Sequence, residues 1–255
     1  MMGECGTSID GVLGGRLRLR QPLSGHRVGH DAILLAAATG ARTGECALEL
    51  GAGVGAAGLA LAARVAGLRV VLVEIDQDLA ALAAENARRN GFGDRVRAIA
   101  CDAEDLTALA SAGIAPGSAD RVLMNPPFRD ATRTQVSPDA RRRLAHAGDP
   151  GLLGRWVAVA HALLRAGGTL TVIWHANAEA RLLDTLDAGF GAIALLRIHP
   201  RPGGPAIRVL ARAVKGGDRS RAEHAPLVLN DAHGRPSAAA EAVLRGGSTL
   251  SLACL

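Results

Sequence analysis

Apolar and polar positions follow each other along the chain in blocks that predict strand, turn and helix in repeated succession. Residues 46–50 have the pattern of a buried strand, and after a glycine-rich turn the segment 56–66 is apolar on nearly every side, as in a buried helix. A second strand over 70–73 leads into a helix that runs to Asn90. Asp76 or Asp78 is placed to cap its start, and Gly91 to stop it.

Further apolar runs predict five more strands, at 96–100, 120–124, 169–174, 192–198 and 206–214, and helices over 151–166 and 177–187. The alternation is typical of a Rossmann-like, doubly wound α/β fold with a mostly parallel, seven-stranded sheet. N-terminal and C-terminal extensions flank it, the second with a short strand at 227–229 and a helix near 237–245. Ligands of such folds bind beyond the carboxyl ends of the strands, at the point where the strand order reverses.

Size and composition favour one domain. The chain has 255 residues, of which 49% are hydrophobic, enough for one sizeable core. No apolar run reaches the length of a membrane span, and no segment has the pattern of a signal peptide, so we expect a cytoplasmic protein without membrane contact. The cysteines are isolated from one another and from histidines, which indicates neither a disulfide framework nor a metal site.

Charge is distributed unevenly along the chain. The net charge is +5, and arginine is concentrated in the segments 11–30, 127–150 and 197–221. Basic segments set apart from an acidic remainder favour a nucleic acid as partner. With no Tyr, three Phe and two Trp, however, the chain lacks the aromatic platforms of a single-strand binding module.

The first predicted strand ends in the sequence Glu49-Leu50-Gly51-Ala52-Gly53-Val54-Gly55, which is suited to a close approach between backbone and ligand. An acid in a buried strand needs a polar partner, and this applies to Glu49. Glu74 ends the second strand and is placed to accept hydrogen bonds from ribose hydroxyls. Asp102 ends the third strand and is placed to accept one from an adenine amino group.

Gly53, Gly55 and Gly58 also form a literal G-x-G-x-x-G, so an NAD-dependent oxidoreductase is an alternative. The sequence Asn125-Pro126-Pro127-Phe128, after the fourth strand, separates the two hypotheses. Its prolines fix the backbone and lack N–H donors, which leaves the Asn125 amide and neighbouring carbonyls as a stiff array of acceptors suited to an NH2 group. Hydride transfer has no use for such an array.

Together these motifs resemble class I S-adenosylmethionine-dependent methyltransferases that modify planar amino groups. The stretches 14–17, 28–35, 226–229 and 242–245 are similar to the tRNA(Val) adenine N6-methyltransferase family, and the similarity runs from about Leu13 to Gly247. Phe128 stands where many relatives have Tyr, and His30 where Thr or Ile is common. Phe also occurs in guanine N2-methyltransferases of ribosomal RNA, and the Asn-Pro-Pro motif in glutamine methyltransferases of release factors, so both alternatives stay open.

The resemblance implies three segments: residues 1–37 capping substrate and cofactor, a methyltransferase domain at 38–215, and an extension at 216–255 packed on that domain. It implies S-adenosylmethionine as cofactor and no metal. Asn125, Pro126 and Phe128 would be catalytic, with the Asn125 oxygen and the Pro126 carbonyl binding the amino group and Phe128 stacking on a flipped base. For Asp31 the alternative to a cofactor contact is the N-cap of a helix over 32–38. The predicted cofactor-binding residues are Asp31, Glu49, Gly51, Gly53, Gly55, Glu74, Ile75, Asp102, Ala103 and Asn125.

The expected partner is RNA, most readily tRNA, and a catalytically silent RNA-binding relative is a further alternative. The loop after the fourth strand is long and rich in arginine, as expected of a functional segment beside the site. The residues predicted to contact RNA are Arg16, Arg18, Arg20, Arg129, Arg141, Arg142, Arg143, Arg208, Arg212 and Lys215.

Overall fold

The strands and helices follow the alternation in the sequence closely. The structure, a computed structural model, describes residues 6–24, 27–127 and 151–254. The strands are β1 (Thr7–Val12), β2 (Leu17–Pro22), β3 (Cys46–Leu50), β4 (Arg69–Glu74), β5 (Val96–Ala100), β6 (Ala119–Met124), β7 (Leu164–His175), β8 (Phe190–His199), β9 (Arg208–Lys215), β10 (Arg221–Glu223) and β11 (Leu227–Val228). The α-helices described are α1 (His30–Ala38), α2 (Ala56–Arg64), α3 (Gln77–Arg89), α4 (Leu106–Ser111), α5 (Leu152–Leu163), α6 (Glu179–Asp187) and α7 (Ala238–Leu244).

The central sheet has the strand order β10-β8-β9-β7-β6-β3-β4-β5, and β11 also pairs with β8. Within this sheet β9 runs antiparallel to both of its neighbours, and the other pairs are parallel. The predicted doubly wound, mostly parallel α/β fold is therefore confirmed. The predicted number of seven strands is too small for this sheet, because two short strands of the C-terminal extension add to β8 and bring it to nine.

Helices cover both faces of the sheet. One apolar cluster joins one face to α1, α2, α3 and α7, and a second cluster joins the opposite face to α4, α5 and α6. Both extensions enter the first cluster, with Leu17 and Leu19 from the N-terminal side and Val243 and Leu252 from the C-terminal side. The extensions thus complete the core of one face, and the division at residues 37 and 215 stays a prediction.

Two local predictions were decided by hydrogen bonds. Asp76 is the N-cap of α3, because its side chain accepts the Leu79 N–H at 3.0 Å. The helix expected to end at Gly167-Gly168 ends earlier, at Leu163, and β7 begins at Leu164. Leu164 already pairs with Ala119 of β6, so neighbouring-strand pairing overrides the helical pattern of the residues that follow.

The N-terminal segment contains a hairpin that the sequence analysis did not predict. β1 and β2 pair antiparallel from Thr7 opposite Pro22 to Val12 opposite Leu17, apart from the central sheet. Leu17, Leu19 and Gln21 face inward on β2, while Arg18 is exposed. Among the residues that the structure describes, every helix is too short or too polar to cross a membrane.

Candidate active site

Four neighbouring strands end side by side at one edge of the sheet. In the parallel register Leu50 lies opposite Val73 and Met124, and Glu74 lies opposite Ala100. Since β4 and β6 flank β3 on either side, the strand order reverses at β3, and the edge beyond it is the switch point where doubly wound folds bind ligands. The glycine turn, Asp102 and Asn125 follow these strand ends, and Glu74 is the last residue of β4.

The glycine turn between β3 and α2 has left-handed backbone at Gly51, Gly53 and Gly55. A Cβ at Gly51 would lie 2.5 Å from Cη2 of Trp156, so the indole leaves no room for a side chain. A Cβ at Gly53 would meet no atom within 4 Å. The turn is therefore packed from below at Gly51 and open at Gly53, where a ligand can reach the backbone.

Glu74 is fixed at the end of β4. It is 6% exposed; its Oε2 accepts the Gly53 N–H at 2.7 Å, and its Oε1 accepts the Asp76 N–H at 3.0 Å. Each carboxylate oxygen has a second lone pair. The predicted contact with ribose hydroxyls is thus compatible with a carboxylate that the turn itself holds in place.

Glu49 lies deeper, within β3. It is 4% exposed, and its Oε2 accepts the Gly58 N–H from the first turns of α2 at 2.6 Å. Burial raises the pKa of its carboxyl to about 8, more than the hydrogen bond from Gly58 lowers it. The polar partner expected for Glu49 is therefore α2, and its contact with a cofactor stays a prediction.

Asp102, Ala103 and Ile75 lie beside Glu74 along the same edge. The Asp102 Oδ1 accepts the Glu104 N–H at 2.9 Å; Ala103 is buried, and Ile75 is exposed for a large apolar side chain, at 42%. A carboxylate with apolar side chains nearby along the same edge suits the polar edge and apolar faces of a planar ring.

Three residues of this site were missed by the sequence analysis. Trp156 of α5 packs on Gly51 and donates from Nε1 to Glu104 at 3.2 Å, while Arg155 pairs with the same carboxylate at 2.6 Å. They join the loop after β5 to the floor of the glycine turn. The signal available in the sequence was the rarity of tryptophan, which occurs twice.

Asn125 follows β6 at the switch point. Its Oδ1 is buried and has no hydrogen-bond partner within the described parts of the chain. A buried acceptor without a donor costs free energy, so this oxygen is suited to receive an N–H from a bound group. Pro126 is buried beside it, and Phe128, the third predicted catalytic residue, lies outside the described residues.

Asp31 does not cap α1. The helix begins at His30 with Gly29 as N-cap, and Asp31 lies in its first turn with no capping hydrogen bond. Its Oδ2 instead accepts from Arg208 Nε at 2.9 Å, which ties α1 to the start of β9. The N-cap alternative is therefore wrong, and the cofactor contact of Asp31 stays a prediction.

Among the described residues, the basic side chains predicted to contact RNA do not form one surface. Arg212 donates to the carbonyls of Leu252 and Cys254, and Lys215 to those of His161 and Leu164. Lys215 ends β9 near the amino end of β7, at the edge of the sheet opposite Asn125.

Arg16 also donates to backbone, at Gly246 and Ala63, and Arg20 pairs with Glu85. Backbone carbonyls accept hydrogen bonds from the guanidinium groups of Arg16 and Arg212 and from the ammonium group of Lys215, and the contacts of these three residues with RNA stay a prediction. Arg129, Arg141, Arg142 and Arg143 lie outside the described residues.

The geometry fits a ligand with ribose hydroxyls on one side and an amino group brought in from the other. The open backbone at Gly53 and the fixed carboxylate of Glu74 suit the first, and the Asn125 oxygen, which has no partner among the described residues, suits the second. Over residues 6–24, 27–127 and 151–254, no three His, Cys, Asp or Glu side chains come together as metal ligands.

The chain is similar in sequence to known methyltransferases. Residues 24–200 match the sequence model of the methyltransferase small domain. The chain is 30% identical over 185 residues to the tRNA1(Val) (adenine(37)-N6)-methyltransferase of Bacteroides fragilis, covering 72% of this chain and 75% of that protein. It is also 30% identical over 156 residues to the release factor glutamine methyltransferase of Chlorobaculum tepidum, covering 59% of this chain and 52%, about half, of that protein.

Among solved structures, a predicted O-methyltransferase from Agrobacterium tumefaciens superposes with a TM-score of 0.72 at 28% identity. The superposition covers 86% of this chain and 98% of that one. The likeness therefore covers most of both chains.

Proposed function

Starting from the fact that this chain belongs to the methyltransferase small domain family and is an S-adenosylmethionine-dependent methyltransferase, we propose that it methylates the N6 amino group of an adenine in tRNA, in the anticodon loop. The observation that carries the proposal is the buried Asn125 Oδ1, which has no donor among the described residues and lies at the switch point beside the glycine turn. An exocyclic amine supplies the N–H that this oxygen lacks.

Asn125 and Pro126 would act on the amine by positioning. An adenine amino group is a poor nucleophile because its lone pair is delocalised into the ring. The Asn125 oxygen and the Pro126 carbonyl would accept its two N–H groups, favour a more tetrahedral nitrogen and direct the lone pair toward the glycine turn. When bound, S-adenosylmethionine supplies the electrophilic methyl group. Phe128 would stack on the flipped base.

The cofactor would be held by the side chains along the carboxyl edge. Glu74 would bind the ribose hydroxyls, and Asp102 the adenine amino group of the cofactor between Ile75 and Ala103. Gly51, Gly53 and Gly55 would bring backbone close to the cofactor, and Asp31 would face its ammonium group. Each of these side chains lies at or next to the end of a neighbouring element, which supports a common ligand.

Two observations support RNA over a release factor as substrate. The adenine N6 relative aligns over more of its own length than the release-factor relative does. Among the basic residues, Arg208 lies at the same edge as Asn125, and Arg18 is exposed on the hairpin. We propose these two, together with Arg20, Arg129 and Arg141 to Arg143, as the RNA-contacting set. A cytoplasmic location remains a prediction from the sequence.

The test is to incubate the protein with isotope-labelled S-adenosylmethionine and, in parallel, with unmodified tRNA, ribosomal RNA and a release factor. Digestion and mass spectrometry then identify the methylated product. We expect N6-methyladenosine in tRNA. N2-methylguanosine in ribosomal RNA, or methylglutamine in the release factor with unlabelled RNA, would refute the adenine assignment and leave the methyltransferase class intact.

A further inference from the structure

Asn86 of α3 is fully buried, and its side-chain amide contacts two other parts of the chain. Its Oδ1 accepts the Arg20 N–H at 2.7 Å, and its Nδ2 donates to the Arg20 carbonyl at 3.0 Å. The same Nδ2 donates to the carbonyl of Val54 at 3.1 Å. Arg20 belongs to β2 and Val54 to the glycine turn, so one amide joins the N-terminal hairpin to the cofactor loop.

Asn90, one turn further along the helix, repeats half of this arrangement. Its Oδ1 accepts the Arg18 N–H at 2.9 Å, and its Nδ2 donates to the Arg18 carbonyl at 3.0 Å. Its other hydrogen bond goes to the Asn86 carbonyl of its own helix, at 2.8 Å. The two asparagines therefore present α3 to β2 as a neighbouring strand would, and they differ in that Asn86 also reaches the glycine turn.

The carbonyl that Asn86 holds is in a segment with much intrinsic freedom. Val54 stands between Gly53 and Gly55, both with left-handed backbone, and glycine loses more conformational entropy on ordering than any other residue. The turn is anchored on one side by the Gly53 N–H on Glu74 and on the other by the Val54 carbonyl on Asn86. Loss of the second anchor would remove one of the hydrogen bonds that hold the turn in the conformation the ligand meets.

We infer that Asn86 is a positioning residue for the methyl donor, and that it couples docking of the β1–β2 hairpin to donor binding. A hairpin docked on Asn86 fixes the amide in the orientation that holds Val54, and an ordered turn in return favours the docked hairpin. Such coupling is reciprocal by thermodynamic necessity. The inference depends on the donor site alone, so it stands or falls independently of which substrate is methylated.

The experiment compares Asn86→Ser with Asn90→Ser in the full chain. Both variants lose the paired hydrogen bonds to β2, and of the two Asn86→Ser alone loses the bond to Val54. Affinity for S-adenosylhomocysteine, which does not turn over, is measured by calorimetry on protein whose folding is verified by circular dichroism. Because Asn86→Ser additionally loses the buried hydrogen bond to the turn, we expect Kd to rise about tenfold in Asn86→Ser and less than about threefold in Asn90→Ser. An unchanged Kd in Asn86→Ser, or equal rises in both, would overturn the inference.

A second measurement needs no variant and covers the case in which Asn86→Ser does not fold. Amide hydrogen exchange of the natural chain is recorded with and without S-adenosylhomocysteine. We expect the Arg20 N–H, bound to Asn86, to exchange at least about fivefold more slowly with ligand, and the Arg18 N–H, bound to Asn90, to respond less. Absence of any slowing at Arg20 would contradict the coupling.

Discussion

At the scale of single residues, the site contains two polar groups, the Asn125 side-chain oxygen and the Glu49 carboxyl, whose burial costs free energy unless each has a hydrogen-bond partner. Within the described residues the Asn125 oxygen is buried without a donor, and the Glu49 carboxyl is buried within a strand with a pKa of about 8. The first is suited to the substrate, because a bound N–H would satisfy it. The second points inward, because Gly58 already supplies its partner.

Asn125→Ala is expected to lower kcat by about 100-fold or more while Kd for the donor changes less than about threefold, because the lost acceptor acts on the amine. Asn125→Asp, which keeps an acceptor oxygen at the same place, is the matched control and should retain more activity. Single-turnover kinetics and calorimetry make the comparison. Parallel losses of turnover and donor affinity in Asn125→Ala would mean that this side chain mainly binds the donor.

Glu49→Gln is expected to flatten the pH dependence of stability. The folded protein binds a proton at Glu49 up to about pH 8, whereas the unfolded chain releases it near the ordinary pKa of 4.5. Stability from this group is therefore complete below pH 4.5 and is lost as pH rises toward and through 8. Between pH 6 and pH 9 the natural chain should lose on the order of 2 kcal/mol more unfolding free energy than the variant, as measured by urea unfolding. Identical pH slopes in both proteins would rule out a protonated Glu49.

At the scale of elements, the glycine turn is shaped by what packs beneath it. Trp156 belongs to α5, more than one hundred residues further along the chain, and its indole occupies the space that a side chain at Gly51 would need. Gly53 has the same left-handed backbone but faces open space. One turn thus contains a glycine required by packing and another that leaves room for a ligand.

Gly51→Ala and Gly53→Ala should therefore fail in different ways. The Cβ introduced by Gly51→Ala would strain the left-handed backbone and overlap the Trp156 indole, so we expect a loss of about 2–4 kcal/mol in unfolding free energy. Gly53→Ala meets strain alone, about 1–2 kcal/mol, but its methyl group enters the proposed donor site and should weaken donor binding by roughly tenfold. Urea unfolding and calorimetry on both variants provide the check. Equal stability losses with unchanged donor affinity would disprove the distinction.

At the scale of the whole molecule, the two extensions are part of the core. Leu17 and Leu19 from one and Val243 and Leu252 from the other share a cluster with α1, α2 and the sheet. The β10 and β11 strands extend the same sheet at β8. The N-terminal hairpin and the C-terminal segment therefore depend on the central domain for their burial, and it depends on them.

Leu252→Ala is expected to cost about 2–5 kcal/mol of unfolding free energy, the usual cost of a cavity in a packed core. Leu252 is 0% exposed although it lies close to the end of the sequence. Leu23→Ala, at a leucine that is 58% exposed, is the control and should cost below about 0.5 kcal/mol. The unfolding free energies of both variants are measured by chemical denaturation. An unchanged value for Leu252→Ala would mean that the C-terminal segment does not contribute to the stability of the core.

Sequence reasoning was most successful where a signal is local. The seven main strands, the Asp76 cap and the positions of Glu74, Asp102 and Asn125 at strand ends all depend on periodicity and on residues a few positions apart. It did not predict the hairpin, in which the backbone of β2 forms hydrogen bonds with the side chains of Asn86 and Asn90. It also did not predict the partners of the arginine side chains. Arginine-rich segments indicated a shared surface, but the guanidinium groups of Arg16 and Arg212 donate to backbone carbonyls far away in the sequence.

By itself, the sequence determined the order of elements, the glycine turn and the row of polar side chains at the strand ends, because adjacent parallel strands bring their carboxyl ends to one edge. The tertiary structure decided which partner each of these side chains has. Asp31 accepts a hydrogen bond from Arg208, and Gly51 packs against Trp156. Asn86 is hydrogen-bonded to both β2 and Val54. Contacts across such separations in the chain leave no periodic trace in the sequence, since they depend on how the packed elements face one another.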